Sequence, residues 1–301
     1  MYFIQQLING ICQGSIYAMV AIGFTVIAGV LGMVAFCYGE TVMFGAYIAY
    51  LVFSSVGATM WAFPISIAVM IVFGMILHKV CYEPFFEHPR ISLMCTIAAG
   101  TIVKNLVIFF TRGETKPVPQ IFGNGYIMVG GLQIGYIQLA IITIVVFICA
   151  VFSVFLNKTR MGVQLRAVSQ NKKAAALLGM NVGNVTMLGN VLGCTFGGIA
   201  GILFSVYYSS FYASMGDKIS MKAFSASVLG GLSDLSVSAV GGYTVSIAEN
   251  FGIAVIPSGF RDVIAFVFLI LVLVFMPAGL SDTLRKIQIH RQQKKAQKTR
   301  A

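Results

Sequence analysis

The chain has 301 residues, of which 58% are hydrophobic and 10% charged, with a formal net charge of +11. Apolar runs without polar faces exclude a water-soluble globular domain. The positive charge clusters in loops beside those runs, which argues against nucleic-acid binding.

In chain order, the N-terminal MYFIQQLINGICQG has no basic leader and no small-residue cleavage site, so no removable signal peptide is expected. About 20 mostly apolar residues cross a bilayer as a helix. That length rule predicts spans at 6–31, 36–56, 61–79, 91–110, 136–156, 184–209 and 262–280. The Gly- and Ser-rich region 223–255 is weaker and is expected to be a re-entrant or broken pair of short helices. The expected fold is an all-α polytopic membrane protein of about seven or eight transmembrane helices. A transmembrane domain, 1–280, contains a polar loop at 158–183, and a basic tail follows at 281–301.

Of the 20 Lys and Arg residues, five lie in 158–173 and seven in 285–300. Basic loops stay on the cytoplasmic side. Both segments are therefore expected inside and the N-terminus outside. Arg112, Lys116, Lys218 and Lys222 fall in outer loops on this assignment. Lys104 is expected to snorkel outward, and Arg261–Asp262 to mark the interface where the last span begins.

Two stretches interrupt helices with glycine: GMVAFCYGETVMFGAY at 32–47 and FSASVLGGLSDLSVSAVGGY at 224–243. Irregular backbone at membrane depth survives only where protein or water covers it, and such places are usually pathways. The candidate path residues are Tyr38, Gly39, Glu40 and Gly45 in the first stretch, and Gly230, Gly231 and Asp234 in the second. Each stretch follows a long helix, and the two helices run in opposite directions, which suggests an inverted internal repeat. Glu40, Asp234 and Glu249 each read either as pathway carboxylates or as interfacial ones.

Gly189, Gly193, Gly197 and Gly201 recur every fourth residue and form one stripe on a helix. Such a stripe admits a second backbone, in this chain or another. The six cysteines are scattered and read as small buried hydrophobes. His78, His88 and His290 are too dispersed for a metal site. There is no P-loop, no HExxH and no GxSxG. No cofactor or metal is expected on this chain, and no enzyme activity.

The polar island RMGVQLRAVSQNKKAAALLGMNVGNV at 160–185 remains. Residues 166–178 are expected to form one short helix. Arg166, Ala167, Lys172, Lys173, Ala174, Leu177 and Leu178 lie along it, and Gly179 stops it. It reads equally as a docking knob for another protein and as a helix resting on anionic headgroups.

The sequence closely resembles the permease family of bacterial branched-chain amino acid ABC importers, of the LivH-like type. The similarity runs through LINGICQGSIYAMVAIGFTVIAGVLGM at 7–33, GE-x-VMFGAY at 39–47 and LRAVSQNKKAAALLGMNV at 165–182. It continues through GGIAGILFS at 197–205, MKAFSASVLGGLSDL at 221–235 and FRDVIAFVFLILVLVFMPAGL at 260–280. The resemblance implies a passive subunit in the bacterial cytoplasmic membrane, with its C-terminus cytoplasmic. It implies four kinds of neighbour: a second, LivM-like permease, two cytoplasmic ABC ATPases, an extracytoplasmic substrate-binding protein and the lipid bilayer. Residues 165–180 match the element that docks in the ATPase. Where the family commonly reads Asn-Phe-Ala-His-Gly-Glu, this chain reads AFCYGE at 35–40, with Ala35 and Tyr38 as departures. Asn171, Lys172 and Lys173 stand where an acid is common, and Lys104 where Gln is common. The expected function is ATP-driven import of a small solute, branched-chain amino acids before urea or amides. The alternative is an ion-coupled transporter or channel using Glu40 or Asp234.

Overall fold

The structure, a computed structural model, describes residues 2–57, 62–86, 88–119, 125–129, 132–231, 235–255 and 258–275. Asp234 and the tail 281–301 lie outside the described residues. The helices are α1 (Tyr2–Leu31), α2 (Tyr38–Val56), α3 (Ala62–Leu77, extended by a π-helical turn to Tyr82), α4 (Pro89–Thr111) and α5 (Tyr136–Lys158). Then come α6 (Arg160–Gln170), α7 (Lys172–Leu177), α8 (Val182–Tyr207), α9 (Met215–Gly230), α10 (Leu235–Val255) and α11 (Arg261–Phe275). Among the described residues, five helices are long and apolar enough to cross a membrane: α1, α3 with its π turn, α4, α5 and α8. Pro89 opens α4 at a position where its missing N–H costs nothing, and Arg112 closes it with φ 57°.

Helices α1 and α8 form the buried centre. They run antiparallel, with Gly189 against Val30, and Gly193 against Ile27 and the Gly23 carbonyl. Further along the stripe, Gly197 meets the Tyr38 ring and Gly201 meets the Val42 carbonyl. The stripe thus packs on α1 and α2 of the same chain. The outer helices α4 and α5 expose large side chains, including Met94, Phe109 and Phe147, as lipid-facing helices do.

The remaining helices repeat one arrangement twice. Helix α10 lies antiparallel along α1, with Gly10 on Ile247, Gly14 on Tyr243 and Gly242 on Ala18. Helix α3 lies likewise along α8, with Gly74 on Val191 and Gly198 on Met70. Helix α2 packs on α8 as α9 packs on α1, where Ser227 Oγ donates to the Ala21 carbonyl at 3.1 Å. Helix α4 covers α2 as α11 covers α9 and α10. Units α1–α4 and α8–α11 are therefore inverted copies, separated by α5–α7. The register differs from the sequence expectation. Residues 32–47 correspond to the connection after α8 and the start of α9, not to 224–243. The glycines of 224–243 serve other contacts: Gly230 and Gly241 close the α9–α10 hairpin, and Gly242 packs on α1.

Helices α1 and α8 end at opposite ends of the bundle, yet the starts of α2 and α9 meet, Gly39 against Gly216. Each intervening connection, 32–37 and 208–214, must therefore turn back into the interior. Gly32, at φ 65°, begins the first of these turns in a conformation open to glycine. The weak region 223–255 resolves into α9, which starts earlier than expected, and α10. The two pack as a hairpin, with Gly230 on Ser238 and Gly241 on Ala226, that enters and leaves at one end of the bundle.

Strands were not expected and are few. At the end of the bundle opposite α6 and α7, β1 (Lys116–Pro117) pairs with β4 (Ser210–Phe211), and β2 (Tyr126–Val129) with β3 (Leu132–Gly135).

Candidate translocation pathway and coupling elements

Tyr38 is fully buried, with its ring wedged between Gly23 and Gly197 and set edge-on to Phe24 at 5.6 Å. Gly39 touches Gly216, and Gly45 touches Gly198. Gly230 packs on Ser238, and Gly231 caps α9 at φ 89°. The structure gathers Tyr38, Gly39 and Gly45 into one seam between α1, α2, α8 and α9. Gly230 and Gly231 sit apart, in the hairpin. These residues form closed seams rather than the wall of an open cavity.

Glu40 lies beside Gly100 of α4, and its Oε2 is buried without a hydrogen-bond partner among the described residues. One step away, Lys104 Nζ lies 2.5 Å from Asp217 Oδ2. Lys104 thus meets a carboxylate of α9, a partner that the expectation of a lone snorkelling lysine did not include. Asp217 directly follows Gly216, as Glu40 follows Gly39, so the two units place an acid at the same position.

A second charged cluster joins α1, α9, α10 and α11. Lys222 Nζ donates to Glu249 Oε1 at 2.8 Å and to the Tyr17 hydroxyl at 3.1 Å. It also lies 3.2 Å from Asp262 Oδ1. Arg261 Nε lies 3.0 Å from Glu249 Oε1, and its Nη1 donates to the Tyr208 hydroxyl at 2.9 Å. Behind them, Gln13 donates to the Tyr17 hydroxyl and Asn250 to Gln13 Oε1. Lys222 is not the outer-loop cation of the charge count. It is an α9 residue, 7% exposed, and Glu249 is 0% exposed. Arg261 and Asp262 begin α11, as expected, and their side chains also join the buried cluster. A sequence signal existed: a lysine and a glutamate in adjacent apolar segments both need a partner.

Removing Glu249 leaves Arg261 without an acid and Lys222 with Asp262 alone. Glu249→Ala is expected to cost about 3–5 kcal/mol, the penalty for breaking a buried pair. It would be read as a lower Tm of the detergent-purified protein. A Lys222→Met/Glu249→Met double variant recovers part of that loss, because it removes charge from both sides.

The polar island folds as two helices, not one. Thr159 caps α6, its Oγ1 accepting from Gly162 N at 3.1 Å. Asn171, at φ −157°, breaks the path and caps α7, its Oδ1 accepting from Ala174 N at 3.0 Å. This competition from an Asx side chain for the backbone N–H ends the expected single helix. Gly179 (φ 78°) then stops α7, as anticipated. Leu165, Val168 and Ala175 bury against Val30 and Val185, clamping the elbow to α1 and α8. Ala174 faces outward, and Arg166 donates to Asn157 Oδ1 at 3.0 Å. Leu177 and Leu178 are 89% and 77% exposed at the tip. Lys172 reaches the other way: its Nζ donates to the Leu31 carbonyl at 2.5 Å and lies over the Phe86 ring at 4.9 Å. Partial burial lowers its pKa from the ordinary lysine value. A cavity of about 500 Å³ separates the elbow from the start of α10, bordered by Leu156, Arg166, Ser169 and Leu235.

Two opposed helical units in an apolar shell, with charges buried between them and a cavity beside the elbow, define an integral-membrane permease. The chain belongs to the family described as the permease component of branched-chain amino acid transport systems, whose match covers residues 6–274. It is 32% identical to the high-affinity branched-chain amino acid transport system permease protein BraD of Pseudomonas aeruginosa, over 93% of this chain and 95% of that one. It is 33% identical to LivH of Escherichia coli K12, over 93% and 96%. A probable LivH of Methanocaldococcus jannaschii is 23% identical over 91% and 90%. No solved structure matches the chain.

Proposed function

We propose that this chain is the passive permease subunit of an ATP-driven importer for branched-chain amino acids. It works beside a second, LivM-like permease, two cytoplasmic ABC ATPases and an extracytoplasmic binding protein, in the bacterial cytoplasmic membrane. The α6–α7 end and the C-terminus face the cytoplasm, and the N-terminus faces outward. One observation carries the coupling: α7 presents two bare leucines on one side and grips the end of α1 through Lys172 on the other. A pull on the tip reaches Leu31, then the 32–37 turn, then the Tyr38–Gly39 seam. Tyr38, Gly39, Glu40, Gly45, Gly230 and Gly231, with Asp234, are the proposed path residues. The seam formed by Tyr38, Gly39 and Gly45 opens only when ATP binding favours the other state.

The test is uptake by liposomes holding the complete complex. Leucine, isoleucine or valine should enter only when ATP, the ATPases and the binding protein are all present. Uptake by this chain alone, driven by an ion gradient, overturns the reading. Within it, Lys172→Met is expected to lower uptake per ATP hydrolysed about tenfold, with the ATPases still bound. A hydrogen bond from a charged donor is worth about 1.5–3 kcal/mol, and 1.4 kcal/mol is a factor of about ten.

A further inference from the structure

At the end of the bundle opposite the elbow lies a cavity of about 260 Å³. Its charged wall is Lys218, Lys222, Arg261 and Asp262, and Tyr17 and Tyr208 line it beside them. Phe204 and Ile219 supply apolar surface. Lys222 is 7% exposed and Glu249, immediately behind it, is 0% exposed. The second carboxylate oxygen of Glu249, Oε2, is buried and has no hydrogen-bond partner among the described residues.

We propose that this cavity is an entry site for a zwitterionic amino acid, holding the solute's carboxylate and ammonium before it reaches the glycine seam. The inference rests on the importer reading and adds a place and a chemistry to it. Three cations and two acids meet within ion-pair distance, so both signs stand side by side on one wall. A zwitterion presents its two charges a few bonds apart and needs that juxtaposition. The excess cation favours the carboxylate end, since Lys218 and Lys222 share Asp262 and Lys222 and Arg261 share Glu249. Lys218 can turn to an incoming carboxylate while Asp262, the acid on the cavity wall, accepts the ammonium, so no charge is stranded during the exchange. The phenolic rings and Phe204 border the charged wall and suit an aliphatic side chain. A purely structural ion cluster needs no such space beside it.

Ser210 lines the same cavity, is partly exposed and lies outside the charged cluster, so Ser210→Cys is nearly isosteric. In the complete complex, that cysteine should react severalfold faster with an anionic methanethiosulfonate than with a cationic one. L-Leucine should slow the reaction, whereas leucinamide and 4-methylpentanoate, each lacking one charge, should not. Adding Lys218→Gln should raise the leucine concentration needed for protection about tenfold. The exposed position of Lys218 lets that variant fold. If no zwitterionic amino acid protects the cysteine, the entry site is wrong, whatever the complex imports. Equal protection by leucinamide also overturns it. Loss of ATP-driven leucine uptake by the unmodified complex instead sinks the importer reading, so the two failures are distinguishable.

Discussion

Gly201→Leu is expected to abolish the folded permease, whereas Gly183→Ala on the same helix leaves it intact. A side chain at Gly201 would start inside the Val42 carbonyl and press on the Ala46 backbone nitrogen. Neither is a flexible group that can swing away. Overpacking a core typically costs about 1–3 kcal/mol when side chains can yield. Here α2 itself would have to leave α8, opening the seam that holds Tyr38. At Gly183 an added Cβ meets only the Asn181 side chain at 3.5 Å, so the effect should stay within about 0.5 kcal/mol. Fluorescence-detected size exclusion and thermal melts in detergent read both variants. A monodisperse Gly201→Leu protein with an unchanged Tm would refute the close packing of α2 on α8.

The second large effect is on coupling. Leu177→Asp combined with Leu178→Asp should leave insertion and Tm unchanged, because both side chains are already bare. Retention of the ATPases should fall at least tenfold, and uptake should disappear with it. Burying one leucine contributes about 1.5–3 kcal/mol, so losing either contact alone costs about ten- to hundredfold in affinity. An aspartate adds the desolvation of a charge. Unchanged co-purification would rule out α7 as the docking element and return the elbow to the lipid headgroups.

The parts legible in the sequence are those written in composition and local pattern. Apolar length located α1, α4, α5 and α8 within a few residues. Four-residue spacing marked the stripe that packs on α1 and α2, and Gly179 marked the end of α7. Pairing was less legible, because it depends on which helices become neighbours. Nothing near Lys104 says that Asp217, on a helix far along the chain, will meet it. Lys222 looked like a loop cation because α9 is short and polar, yet Tyr17 and Glu249 draw it into the interior. The break at Asn171 was missed for a local reason: an Asx side chain can cap a new helix as easily as sit inside an old one. The candidate path residues were chosen as helix breakers. Several occupy points of closest backbone approach, a role that glycine serves as well as it serves flexibility.

The contact between Gly39 and Gly216 has a mechanical consequence. The two inverted halves are interlaced elsewhere, α10 lying on α1 and α3 on α8, so neither half tilts as a rigid body by itself. At Gly39 and Gly216 no side chain stands between them, and a displacement of one backbone is handed straight to the other.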